Sequence, residues 1–105
     1  MKRVTFEEAE RYQDEKYMCP VLFKGERTTS VLPCLKPGQS MPSHRHEGFE
    51  VMLHPLRGEA ETVLDGEPVR LRAGEVIFVD GANDFAIANA GGEDFSMLIT
   101  MVRRV

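Results

Sequence analysis

The sequence predicts an all-β domain, a sandwich or barrel of eight or nine short strands, and three observations carry that reading. From Tyr17 onward the chain is a series of short runs rich in Val, Leu, Ile, Phe and Thr. Gly, Pro, Asn and Asp separate those runs at regular spacing, which is the pattern of consecutive strands and turns. No later segment has the apolar spacing of a helix. At 105 residues the chain makes one domain, able to bury roughly 60 to 70% of its unfolded surface in a single core.

The exception comes first in the chain. Thr5-Phe6-Glu7-Glu8 is a capping box, Thr at the cap and Glu three residues on, and it predicts a short helix or helical turn. Residues 1–27 hold this turn and an edge strand and belong to the same domain as the barrel, residues 28–105. Strands are expected at Tyr17–Phe23 and Thr28–Leu35, and Pro33 marks the second as an edge or a bulge because proline cannot donate to a ladder. Short extended pieces follow at Ser43–His46 and Glu50–Leu53, around a turn at Glu47-Gly48.

Glu59–Leu64 runs into Asp65-Gly66, the strongest two-residue hairpin signal in the chain, and Pro68–Arg72 is its return strand. Val76–Val79 reads as a strand buried on both faces. Phe85–Ala88 is a further strand, and Phe95–Val102 closes the chain with Phe95, Met97, Ile99 and Met101 on one face.

The bulk properties exclude several functions. A net charge of -4 with scattered Lys and Arg offers no basic face for nucleic acid. No apolar run approaches the roughly 20 residues of a membrane span, and the N-terminus has no apolar signal region, so a cytoplasmic protein is expected. Cys19 and Cys34 are expected to be buried free thiols.

All three histidines, His44, His46 and His54, fall within one short segment, with Glu50 four residues after His46. Residues two apart on a strand point the same way, so His44 and His46 share one space while Arg45 faces away. Glu50 can join them if the chain reverses through Glu47-Gly48-Phe49. Two histidines and a carboxylate on one side of a metal leave the opposite positions open, as in facial-triad iron sites. Against this stands the plainer reading of two surface histidines and a solvated carboxylate.

The order Gly38, five residues, His44-Arg45-His46, three residues, Glu50 resembles the first signature of the cupin superfamily. The match runs on to Gly58, with seven residues after Glu50 where the family usually has six. Gly74 and Asn89 stand in register with the second signature, but Asp80 replaces its proline, Ala82 its glycine and Phe85 its histidine. The resemblance covers roughly residues 28 to 102.

That resemblance implies a single-domain jelly-roll β-barrel holding a divalent transition metal (Fe, Mn, Ni or Zn) on His44, His46 and Glu50. Phe85 stands where the family has a fourth ligand. His54 is a candidate additional ligand or proton carrier, re-aimed by a bulge before Gly58. Met41, Phe49, Met52, Phe78, Phe85, Ile87 and Met97 are expected to line the pocket, with Asn83 and Asp84 at its mouth. The function implied is metal-dependent chemistry of the dioxygenase, isomerase or decarboxylase type on a small organic molecule. The alternative is a non-catalytic binding cupin, metal-free because of Phe85. The resemblance also implies a homodimer.

Overall fold

The computed structural model describes all residues from Met1 to Val105. Its one helix, α1 (Phe6–Ala9), is capped by Thr5, whose Oγ1 accepts the Glu8 N–H at 3.2 Å. Ten strands follow: β1 (Val21–Lys24), β2 (Thr28–Val31), β3 (Cys34–Leu35), β4 (Ser40–His44), β5 (Phe49–Arg57), β6 (Glu59–Leu64), β7 (Glu67–Arg72), β8 (Ile77–Asp80), β9 (Phe85–Ala88) and β10 (Phe95–Arg103). They form two antiparallel sheets. The larger runs β1-β2-β10-β5-β8, with β3 also on β10, and the smaller runs β4-β9-β6-β7. The inner faces close on each other as a jelly-roll barrel.

Alternation decides what fills the barrel. Along β5, Val51, Leu53 and Pro55 are buried while Glu50, Met52 and His54 are half-exposed. On β10, Phe95, Met97, Ile99 and Met101 point inward as the sequence requires. From the smaller sheet Met41, Leu71, Phe85 and Ile87 complete a continuous core. Burying one such side chain contributes about 1.5–3 kcal/mol, so β5 cannot slip by one residue without turning its apolar set into solvent.

Proline and glycine set the breaks. The expected strand Thr28–Leu35 is two strands, because Pro33 has no N–H to give the ladder, although its carbonyl accepts the Met97 N–H at 3.1 Å. Tyr17–Phe23 is likewise shorter than expected. Met18 alone bridges Cys34, and pairing resumes at β1 only after Pro20. Asp65 and Gly66 both have positive φ, 51° and 79°, the backbone of the two-residue turn that their identity predicts.

Two expectations about burial fail. Phe78 is 62% exposed, because β8 is an edge strand pairing only with β5 and its outer face has no covering layer. Cys19 is exposed while Cys34 is buried, and both are free thiols. Burial raises the Cys34 thiol to about 11.

Asn89 closes the end of the barrel away from the histidines. It is almost fully buried, donates to the Leu35 and Glu93 carbonyls at 2.9 and 2.8 Å, and accepts the Gly91 N–H at 3.1 Å. The first residues of the chain lie along this end. Glu10 pairs with Arg57 at 2.9 Å and Asp14 with Lys36 at 2.6 Å, and the Gln13 carbonyl accepts from Gln39 at 2.7 Å.

Candidate functional site

His44 is the last residue of β4, and His46 lies in the turn beyond it. A register shift between Met41 and His44 re-aims the end of that strand. The two imidazoles meet edge to face with centroids 4.8 Å apart, both half-buried. Phe85 pairs with His44 across the ladder and lies beneath both rings, 5.2 Å from His44 and 6.1 Å from His46. It is fully buried. The volume in which a fourth ligand would stand is therefore occupied by a phenyl ring.

The His44 Nδ1 lies 2.9 Å from the Pro42 carbonyl oxygen. A carbonyl can only accept, so Nδ1 carries the hydrogen, and in the neutral ring Nε2 presents its lone pair. His46 is held below the usual histidine range, first by burial and then by the neighbouring His44.

Glu50 does not join the pair. It stands on the outer face of β5 beside Asp80, and its carboxylate meets Arg104 at 3.8 Å. The inward position is Val51, which is fully buried. Six residues separate Val51 from Gly58, the family's usual spacing, so the odd spacing of Glu50 marks its opposite orientation. No group of three or more His, Cys, Asp or Glu side chains is gathered that could hold a metal ion. The donor set therefore does not fit the three-ligand metal centre that the motif implies.

His54 shares the outer face with Glu50 and Met52, opposite Leu98. The expected bulge exists but follows His54: Ser96 pairs with Arg57 and Met97 with Pro55, leaving Leu56 over. The imidazole is not re-aimed. Met52 and Phe78 also face outward, paired with each other, and line no interior pocket. Met41, Phe85, Ile87 and Met97 are buried in the core, and Phe49 packs half-buried against it.

Ion pairs brace the rim. Arg45 reaches both oxygens of Asp84, at 2.9 and 2.7 Å, and Glu47 at 3.4 Å. The Arg45 guanidinium holds Asp84 below the usual carboxylate range, and Asp84 before Glu47 raises Arg45 in turn. Asp84 is thus occupied as a brace between β4 and β9. No local signal in the sequence announces a pair 39 positions apart. Arg104 similarly ties Asp80, at 3.0 Å, to the end of β10.

The sequence model described as Cupin domain matches residues 31–101. This chain belongs to the cupin family. The barrel is similar to the structure of TT1209 from Thermus thermophilus, with a TM-score of 0.91 and 26% identity over 100% of both chains. A Thermotoga maritima structure described as a predicted oxalate decarboxylase gives 0.75 and 28% identity, covering 81% of this cupin and 78% of that chain. An oxalate-binding protein of Thermotoga maritima is 34% identical over 68 residues, 65% of this chain. The chain spans 56% of the length of that relative.

Proposed function

We propose that this cupin is a non-catalytic binding protein for a small carboxylate, which it contacts through His44 and His46 at the barrel mouth. The observation that carries the reading is the pair of half-buried imidazoles at 4.8 Å, backed by a buried phenyl ring. His46 can donate to a carboxylate oxygen through one ring nitrogen, and His44, its Nδ1 engaged by the Pro42 carbonyl, meets a second oxygen through Nε2 when that nitrogen carries a hydrogen, so the pair suits a ligand with several oxygens. The relative named for oxalate binding supports that chemical class. Phe85 and the outward Glu50 weigh against a metal-dependent enzyme.

A second reading has one observation in its favour. The Pro42 carbonyl fixes His44 with Nε2 free, which is how a metal-binding imidazole is oriented. Dioxygenase, isomerase or decarboxylase chemistry belongs to that reading, and the metal would supply Lewis acidity or oxygen activation. Register opposes the addition of Glu50 to such a site, because bringing it inward would expel Val51 and Leu53.

Calorimetric titration with oxalate decides between the readings, using tag-free protein with its metal content measured. Binding by metal-free protein that is lost in His44→Ala supports the proposal. Binding only after metal loading establishes the second reading, and no binding in either state overturns both.

A cytoplasmic homodimer belongs to the same reading. No helix is long and apolar enough to cross a membrane. The exposed side chains of Phe78, on the outer face of β8, and of Val76 just before it offer apolar surface for a second copy.

A further inference from the structure

β4 stops at His44, so no ladder holds His46. What holds it is a residue from the loop after β8. The buried Gly81 accepts the His46 N–H through its carbonyl at 2.7 Å and donates its own N–H to the Phe49 carbonyl at 2.8 Å. The two hydrogen bonds run in opposite directions and press the two backbones together. On the other side of the turn, the Arg104 N–H reaches the Gly48 carbonyl at 2.7 Å.

This approach leaves no room for a side chain at position 81. An added Cβ would stand 2.6 Å from the Phe49 carbonyl oxygen and closer still to that of His46. Both oxygens belong to the backbone and are engaged in the turn, so neither can swing aside as a flexible side chain would. Glycine is needed here for close approach between two chain segments.

We propose that Gly81 is the positioning residue of the histidine pair, fixing the His46 ring against His44 and Phe85 so that the ligand meets a preformed pair. The role deepens the reading of the pair as the ligand contact and rests on it. In physical terms Gly81 removes the freedom that a turn residue would otherwise lose on binding.

Gly81→Ala in the full chain tests this by nuclear magnetic resonance. The wild type should show ring-proton contacts between His44 and His46 and between His46 and Phe85. The variant should lose both while keeping the His44 to Phe85 contact, whose residues are paired in the ladder. Contacts that survive unchanged in the variant overturn the proposal.

If Gly81→Ala does not fold, amide exchange in the wild type decides. The His46 and Gly81 amides should exchange at least ~100-fold more slowly than an open loop, and open-loop rates overturn the proposal. With oxalate as the probe, the folded variant should bind at least ~10-fold more weakly than wild type, and equal affinity overturns the role. A wild type that binds no oxalate removes the ligand reading alone, since the ring contacts and exchange rates still decide the role of Gly81.

Discussion

Phe85 and His44 face each other across the β4–β9 ladder with ring centroids 5.2 Å apart, the phenyl fully buried and the imidazole half-exposed. The phenyl ring is thus both the floor of the candidate site and part of the core. Phe85→Ala should cost about 3–5 kcal/mol, measured by urea denaturation. A loss below about 1 kcal/mol would mean that the ring does not support the barrel. Phe85→His should tighten metal binding if the second reading holds, since residue 85 faces both histidines.

Glu50→Gln should leave both the oxalate titration and the metal content as they are in the wild type. Its carboxylate lies on the outer face with Arg104 at 3.8 Å, and an exposed pair of this kind contributes about 0–1 kcal/mol. A large loss of bound metal in this variant would show that Glu50 reaches the histidines after all.

Stability should fall as the solution is acidified below the ordinary histidine value of 6.5. The folded chain holds His46 below that value, so in this window the unfolded chain binds the extra proton more readily and protonation favours unfolding. The effect should be absent well above 6.5 and complete once the pH passes below the folded value. His46→Gln should flatten this part of the profile, and an equally steep slope in the variant would assign it to another group.

Asn89→Ala should destabilise the far end of the barrel by at least about 2 kcal/mol, because it strands the Leu35 and Glu93 carbonyls and the Gly91 N–H. The His44 and His46 ring resonances should stay in place, since the two features lie at opposite ends. Movement of those resonances would reveal a coupling that the contacts do not contain.

Phe78→Glu should shift a homodimer toward monomer in light scattering while leaving the melting temperature of a dilute sample within a few degrees. A mass unaffected by the charge would place the interface elsewhere.

Much of the fold was legible because it rests on period and punctuation. Strands β6 and β9 fall where their residues place them, and the inward set of β10 follows directly from alternation. Phe78 was misread because its run Val76 to Val79 is uniformly apolar, and a single sequence carries no sign of which face lacks a covering layer. Glu50 was misread for a different reason. A short motif fixes spacing along the chain but not the face of a strand, and the deciding residue was Gly58, whose distance pointed to Val51. Gly81 gave no signal at all, because its constraint arises from two segments that meet only in the folded barrel.

The ties at the start of the chain have a consequence of their own. No residue before Ser30 is fully buried, and α1 buries nothing. Side-chain anchorage of the first sixteen or so residues rests largely on Glu10 with Arg57, Asp14 with Lys36, and the hydrogen bond of Gln13 to Gln39. Of these ties the exposed pair of Asp14 and Lys36 weakens as ions crowd in, whereas the Glu10 side chain, 9% exposed, and the packed interior are screened far less. Ionic strength therefore acts on the outside of this molecule at both ends: salt loosens the N-terminal strap at Asp14 and Lys36 and the brace of Arg45 on Asp84, and leaves the packed barrel between them as it was.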